Sequence, residues 1–153
     1  MIGSNGRAVL AAGAAVLLAS CGSSGGGGGG AVGGGSPGYY IVINNLAYSP
    51  IQLAVPPGAT VTVVNQEAMP HSVTSEVAEG DFTPGSLGGV EFDTGAFTGH
   101  RSFTIPASAA DGTVVSYYCS VHKGTMATPN GSIRVDSTAQ PGPAPGSGGG
   151  GGY

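Results

Sequence analysis

The sequence predicts an all-β fold, a Greek-key antiparallel β-sandwich of seven to eight strands. Three observations predict it. Short runs rich in Val, Ile, Thr, Phe and Tyr recur between residues 39 and 136. Gly, Pro, Asn or Asp closes each run, and no segment carries the apolar period of an amphipathic helix. Such spacing of short strands and turns is that of a two-sheet sandwich.

The elements follow in order. Tyr39–Ile43 is a strand by its β-branched and aromatic content, and Asn44-Asn45 begins a turn that leads into a loop from Leu46 to Pro50. Ile51–Val55 alternates larger and smaller side chains and stops at Pro56-Pro57-Gly58. Thr60–Val64 is β-branched at every position, and His71–Ser75 is a further extended stretch. Residues 76–89 are polar and Gly-rich, a long loop, after which Glu91–Asp93 reads as a short edge strand. Arg101–Ile105, Thr113–Tyr118 and Ser132–Val135 complete the set.

The ends are of another character. Of 31 glycines, most lie in 22–35 and 142–152, tracts with little side chain to bury and expected to stay flexible. A basic start ending at Arg7 precedes the apolar run Ala8–Ala19, the plan of a secretory signal peptide and too short for a permanent membrane span. Leu18-Ala19-Ser20-Cys21 closes it and resembles a bacterial lipobox, which implies cleavage before Cys21 and lipidation of that residue. The reading is a signal peptide at 1–20, a lipidated Cys and Gly/Ser-rich tether at 21–38, a folded domain at 39–136, and a disordered Pro/Gly-rich tail at 137–153. A Gly-rich tether of that length spans roughly 20–25 Å. By the same resemblance, Gly22 in place of Asp implies the periplasmic face of a membrane, the outer one in a two-membrane cell, or otherwise the cell surface.

Charge is sparse. Only 8% of residues are charged and the net is −4, with no basic cluster, so a nucleic-acid partner is not expected. The acidic stretch Glu76, Glu79, Asp81, Glu91 and Asp93 reads as a solvated loop, with docking of a basic partner as the alternative.

With Cys21 assigned to the anchor, Cys119 has no partner for a disulfide in an exported chain. His122 follows it by three residues and Met126 by seven (CSVHKGTM), while His71 lies far upstream in MPHSV. Two imidazoles, a thiolate and a thioether are the ligand set of a blue-copper centre, a trigonal His₂Cys plane with a weak axial Met. A tight loop containing Gly124 can gather three of these side chains, which a strand would splay to opposite faces. The third histidine, His100, begins an alternating strand without a nearby thiol and reads as exposed; Met69 reads as surface or packing.

From Tyr39 to Val135 the chain resembles the cupredoxins, in particular small plastocyanin-like members. Pro70-His71, Tyr117 before Cys119, His122, Met126 and Gly131 occur in the order of that family's motif. The resemblance implies one type 1 copper ion, His71 and His122 binding through Nδ1, and electron transfer without catalysis. It places Pro70 and Ser72 beside the ligands, Ser72 where many relatives carry Asn. The spacing from Cys119 to Met126 lies between the commoner family lengths, and four residues rather than one separate Met126 from Gly131. The expected protein is a monomeric carrier that docks transiently with redox partner proteins and is held at a membrane by its lipid. Storage or delivery of copper is the alternative. Three histidines are too few for this site and a further catalytic copper cluster.

Overall fold

In the computed structural model, residues 35–126 and 130–146 are described. The signal, Cys21, most of the tether and residues 147–153 fall outside them. Eight strands form two four-stranded sheets: β1 (Tyr39–Asn44), β2 (Ala47–Ser49), β3 (Gln52–Val55), β4 (Thr60–Asn65), β5 (Thr74–Ser75), β6 (Gly99–Thr104), β7 (Val114–Tyr118) and β8 (Gly131–Val135). One sheet has the order β2-β1-β4-β6 and the other β3-β8-β7-β5.

Alternation decides which side chains meet between the sheets. In β4 the buried residues are Val61, Val63 and Asn65, and in β8 they are Gly131, Ile133 and Val135. Ile41 and Ile43 of β1 join them, with Val55, Val115, Tyr117 and Ile105. Each large aliphatic side chain buried in this way contributes roughly 1.5–3 kcal/mol. The outer face is polar: Thr60 pairs with Thr104 and Thr62 with Ser102, both at 3.3 Å between hydroxyls.

The sandwich is as expected, but its sheets are mixed. β1 pairs parallel with β4, and β3 pairs parallel with β8; the other four pairings are antiparallel. The chain changes sheet at each of the five connections from β2 to β7, so strands far apart in sequence become neighbours and can run the same way.

Three expectations are corrected. The predicted loop 46–50 contains β2, because Asn45 and Leu46 (φ 52° and 54°) close a two-residue hairpin that returns the chain along β1. Residues 91–93 form no strand of their own, although the Ser75 amide donates to the Phe92 carbonyl and Thr74 bridges Asp93. The segment expected to be disordered from 137 lies against the domain as far as 146, with Ala139, Ala144 and Pro145 half-buried. Gly38 and Gly142 exchange two backbone hydrogen bonds of 2.9 Å, and the Tyr39 hydroxyl donates to the Ala139 carbonyl. Pro143 and Pro145 then line a groove with Tyr40 and Val42 on the outer face.

One pole of the sandwich gathers the chemistry. The parallel register pairs Ile43 with Asn65, so β1 and β4 end together there. The Gly38–Gly142 pair lies at the start of β1, toward the other pole.

Candidate metal centre

His71 stands at the end of the segment 66–70 that follows β4. Its amide donates to the Phe97 carbonyl at 3.0 Å and its carbonyl accepts from the Phe97 amide at 2.9 Å, fixing the backbone from both sides. Asn65 closes the same segment: its side-chain amide donates to the carbonyls of Met69 and Phe97. Cys119 leaves the end of β7. The His122 amide donates back to the Cys119 carbonyl at 3.3 Å, and the amides of Thr125 and Met126 both donate to the His122 carbonyl at 2.9 Å. Two successive turns thus carry the chain from Cys119 to Met126.

These turns bring three ligand atoms together. Cys119 Sγ lies 3.8 Å from His71 Nδ1 and 3.7 Å from His122 Nδ1, and the two Nδ1 atoms are 3.2 Å apart. The point equidistant from the corners of that triangle is about 2.1 Å from each. Transition-metal bonds to imidazole and thiolate are roughly 2.0–2.3 Å. Among the described residues this is the one group of three such side chains with its ligand atoms within 4.8 Å of one another. His71 and Cys119 are buried, and His122 is partly open to solvent. Donor set, spacing and burial fit a trigonal His₂Cys copper site.

Met126 is buried and packs in the same core cluster as Cys119. Pro70 is exposed next to His71 and lacks an amide proton. Ser72 is fully buried and joins the two halves of the site. Its amide points at Cys119 Sγ (3.4 Å), and its hydroxyl accepts from the Ser120 amide (2.8 Å). Tyr48 donates its hydroxyl to the Ser72 carbonyl at 2.7 Å. Burial, and then the neighbouring Cys119 and Tyr117, push the Tyr48 phenol far above its usual range. His100 is exposed on β6, paired with Val64, and takes no part.

One participant was not foreseen. Glu67 Oε2 lies 2.5 Å from His71 Nε2, the nitrogen that faces away from Cys119. Burial raises the Glu67 pKa, but the Leu46 amide and the His71 ring outweigh that and hold it below the usual carboxylate range. Its only trace in the sequence is an acidic residue four before His71, a spacing with meaning on a helix and none on an irregular loop.

A mixed β-sandwich with a buried cysteine sulfur and two imidazoles at one pole defines a small mononuclear copper-binding protein. Residues 39–135 match the family of copper binding proteins that comprises plastocyanin and azurin, and the chain belongs to that family. Its cofactor is one type 1 copper ion. Among solved structures, the chain is similar to a purple cupredoxin from Nitrosopumilus maritimus. The identity is 27%, over 64% of this chain and 99% of that one, with a TM-score of 0.48. It is also similar to an oxidized methionine-to-leucine mutant of amicyanin (28% identity, 65% of this chain and 82% of that one, TM-score 0.48). The reduced Cu(I) form of a proline-to-glycine mutant of amicyanin gives 26% identity over 67% and 85%, with a TM-score of 0.49. No curated protein matches the chain.

Proposed function

We propose that this protein is an exported one-electron carrier rather than an enzyme. The observation that carries the reading is the ligand triangle clamped through its backbone: Phe97 holds His71, Ser72 joins both halves, and the 119–126 turns hold His122. Copper bound there supplies a one-electron couple between Cu(II) and Cu(I). A frame held this firmly suits one geometry to both oxidation states and keeps reorganisation small. Met126, buried on the turn that follows His122, would supply a further, weaker sulfur donor. Burial of His71 and Cys119 favours retention of the metal over its delivery.

Partly open His122 is the side chain through which an electron would enter and leave. Exposed Met69, Pro70 and Val121, with half-buried Leu46, give this pole an apolar rim suited to brief docking of a redox partner. The lipid at Cys21 and the Gly-rich tether would hold the domain at a membrane surface on the exported side while leaving it free to meet such partners. The domain works as a monomer.

Reconstitution of the full chain with Cu(II) tests the reading. An intense visible band from thiolate-to-copper charge transfer, a type 1 spin-resonance signal and reversible voltammetry with copper retained are the expected results. A colourless Cu(II) complex, or colour that survives Cys119→Ser, rules the carrier out. Ready transfer of Cu(I) to a chelating acceptor protein would instead favour copper delivery.

A further inference from the structure

The two imidazoles of the site are not equivalent. His71 is fully buried, and its ring nitrogens both have assigned contacts: Nδ1 faces Cys119 and His122, while Nε2 meets Glu67 at 2.5 Å. His122 is partly open, and no described side chain takes a hydrogen bond from its outward nitrogen.

Glu67 is itself held at several points. Its second oxygen accepts from the Leu46 amide at 2.8 Å, and its own amide donates to Asn65 Oδ1 at 2.9 Å. Leu46 is a left-handed residue of the β1–β2 hairpin (φ 54°), a conformation that non-glycine residues adopt reluctantly and keep only where neighbours enforce it. One carboxylate therefore ties that hairpin to the buried ring. With side-chain exposures of 0% for His71 and 17% for Glu67, little water competes for the bond.

We propose that Glu67 is a positioning residue for copper: it keeps the His71 proton on Nε2, turns the Nδ1 lone pair into the ligand triangle, and biases the site toward Cu(II). The inference rests on the copper reading above and adds to it the group that sets the redox balance. An ionised carboxylate accepting from the far nitrogen makes an imidazole a stronger donor, and partners of this kind typically change metal affinity 10–100-fold when removed. The added negative charge stabilises the divalent ion more than the monovalent one. His122, without such a partner among the described residues, is left as the weaker donor and the open face.

The test compares the full-length wild type with Glu67→Gln, which preserves shape but removes the charge and leaves one oxygen for two donors, the Leu46 amide and the His71 Nε2–H. The expected result is a fall of tenfold or more in Cu(II) affinity relative to Cu(I), a rise in reduction potential of about 59 mV per tenfold, with the visible band retained. A ratio changed less than twofold, or changed the other way, overturns the proposal. Nitrogen-15 NMR of the wild-type Cu(I) form gives a second reading that needs no variant. The His71 Nε2–H should be strongly deshielded and slow to exchange with water, and exchange as fast as that of His122 overturns the proposal. A wild type that takes up no blue copper would instead fail the functional reading itself, so the two failures are told apart.

Discussion

The ring of Tyr117 occupies the space that a side chain at Gly131 would need. A Cβ placed at Gly131 would fall well inside van der Waals contact with Tyr117 Cζ and its hydroxyl oxygen. Tyr117 cannot retreat, because Tyr48 meets its ring edge-on at 4.9 Å and Phe92 lies beyond at 6.2 Å. Gly131→Ala should therefore destabilise the domain by about 3 kcal/mol, the upper end of overpacking costs in a dense core. Urea unfolding of the metal-free protein measures it, and an unchanged midpoint would show that the ring has room to shift.

Two buried tyrosines should respond oppositely to loss of their hydroxyls. Tyr48 donates at 2.7 Å to the Ser72 carbonyl, so Tyr48→Phe should cost about 1 kcal/mol and loosen Ser72 against Cys119. The Tyr117 hydroxyl is buried among the described residues without a hydrogen-bond partner. Removing an unsatisfied buried polar atom relieves its desolvation cost, so Tyr117→Phe should be neutral or stabilising by up to about 1 kcal/mol. Paired denaturation curves decide the point.

The same tyrosines predict alkaline sensitivity. Burial is the largest cause raising both phenols above their ordinary pKa. Each therefore keeps its proton in the folded state above pH about 10, where the unfolded chain releases it. Their contribution is complete below that value and is lost as pH rises beyond it, at about 1.4 kcal/mol per pH unit for each tyrosine. Stability measured from pH 9 upward should fall, with a slope smaller by about one proton in Tyr117→Phe.

Glu76 is a buried carboxylate that organises the loop after β5. It accepts from the amides of Gly80 (3.1 Å) and Phe82 (3.0 Å) and from the Asn130 side chain (3.3 Å). That arrangement lays Phe82 edge-on against Tyr118 at 5.6 Å. Glu76→Ala leaves several donors without an acceptor and should cost about 2–4 kcal/mol. Hydrogen exchange should quicken at Gly80 and Phe82 first, whereas uniform quickening would mean that the loop opens only with the whole domain.

The ligand triangle could be read from the sequence because its residues are chemically rare there. Cys119 is the sole cysteine after Cys21, and His122 lies only three residues beyond it. The strands were legible for a similar local reason, since β-branched alternation in 60–65 reports its own burial pattern. What escaped notice depends on distant partners. β2 is three residues long and exists because Leu46 accepts a left-handed backbone that the Glu67 carboxylate, 21 residues away, helps to hold. Glu67 itself looks like any surface acid until the hairpin and His71 are brought to it. Acidic residues at 76–93 looked alike as solvated loop, yet Glu76 is fully buried.

The clasp between Gly38 and Gly142 has a topological consequence. It brings the two described ends of the domain side by side, so the folded part of the chain is almost a closed ring. In such a ring the starting point of the polypeptide is arbitrary. Join residues 35 and 146 by a short linker and open the backbone in the exposed Gly88–Gly89 turn, and every strand pairing and every copper ligand remains on one continuous chain. The fold is thus specified by which segments neighbour one another, and the order in which they are threaded is a detail of connection.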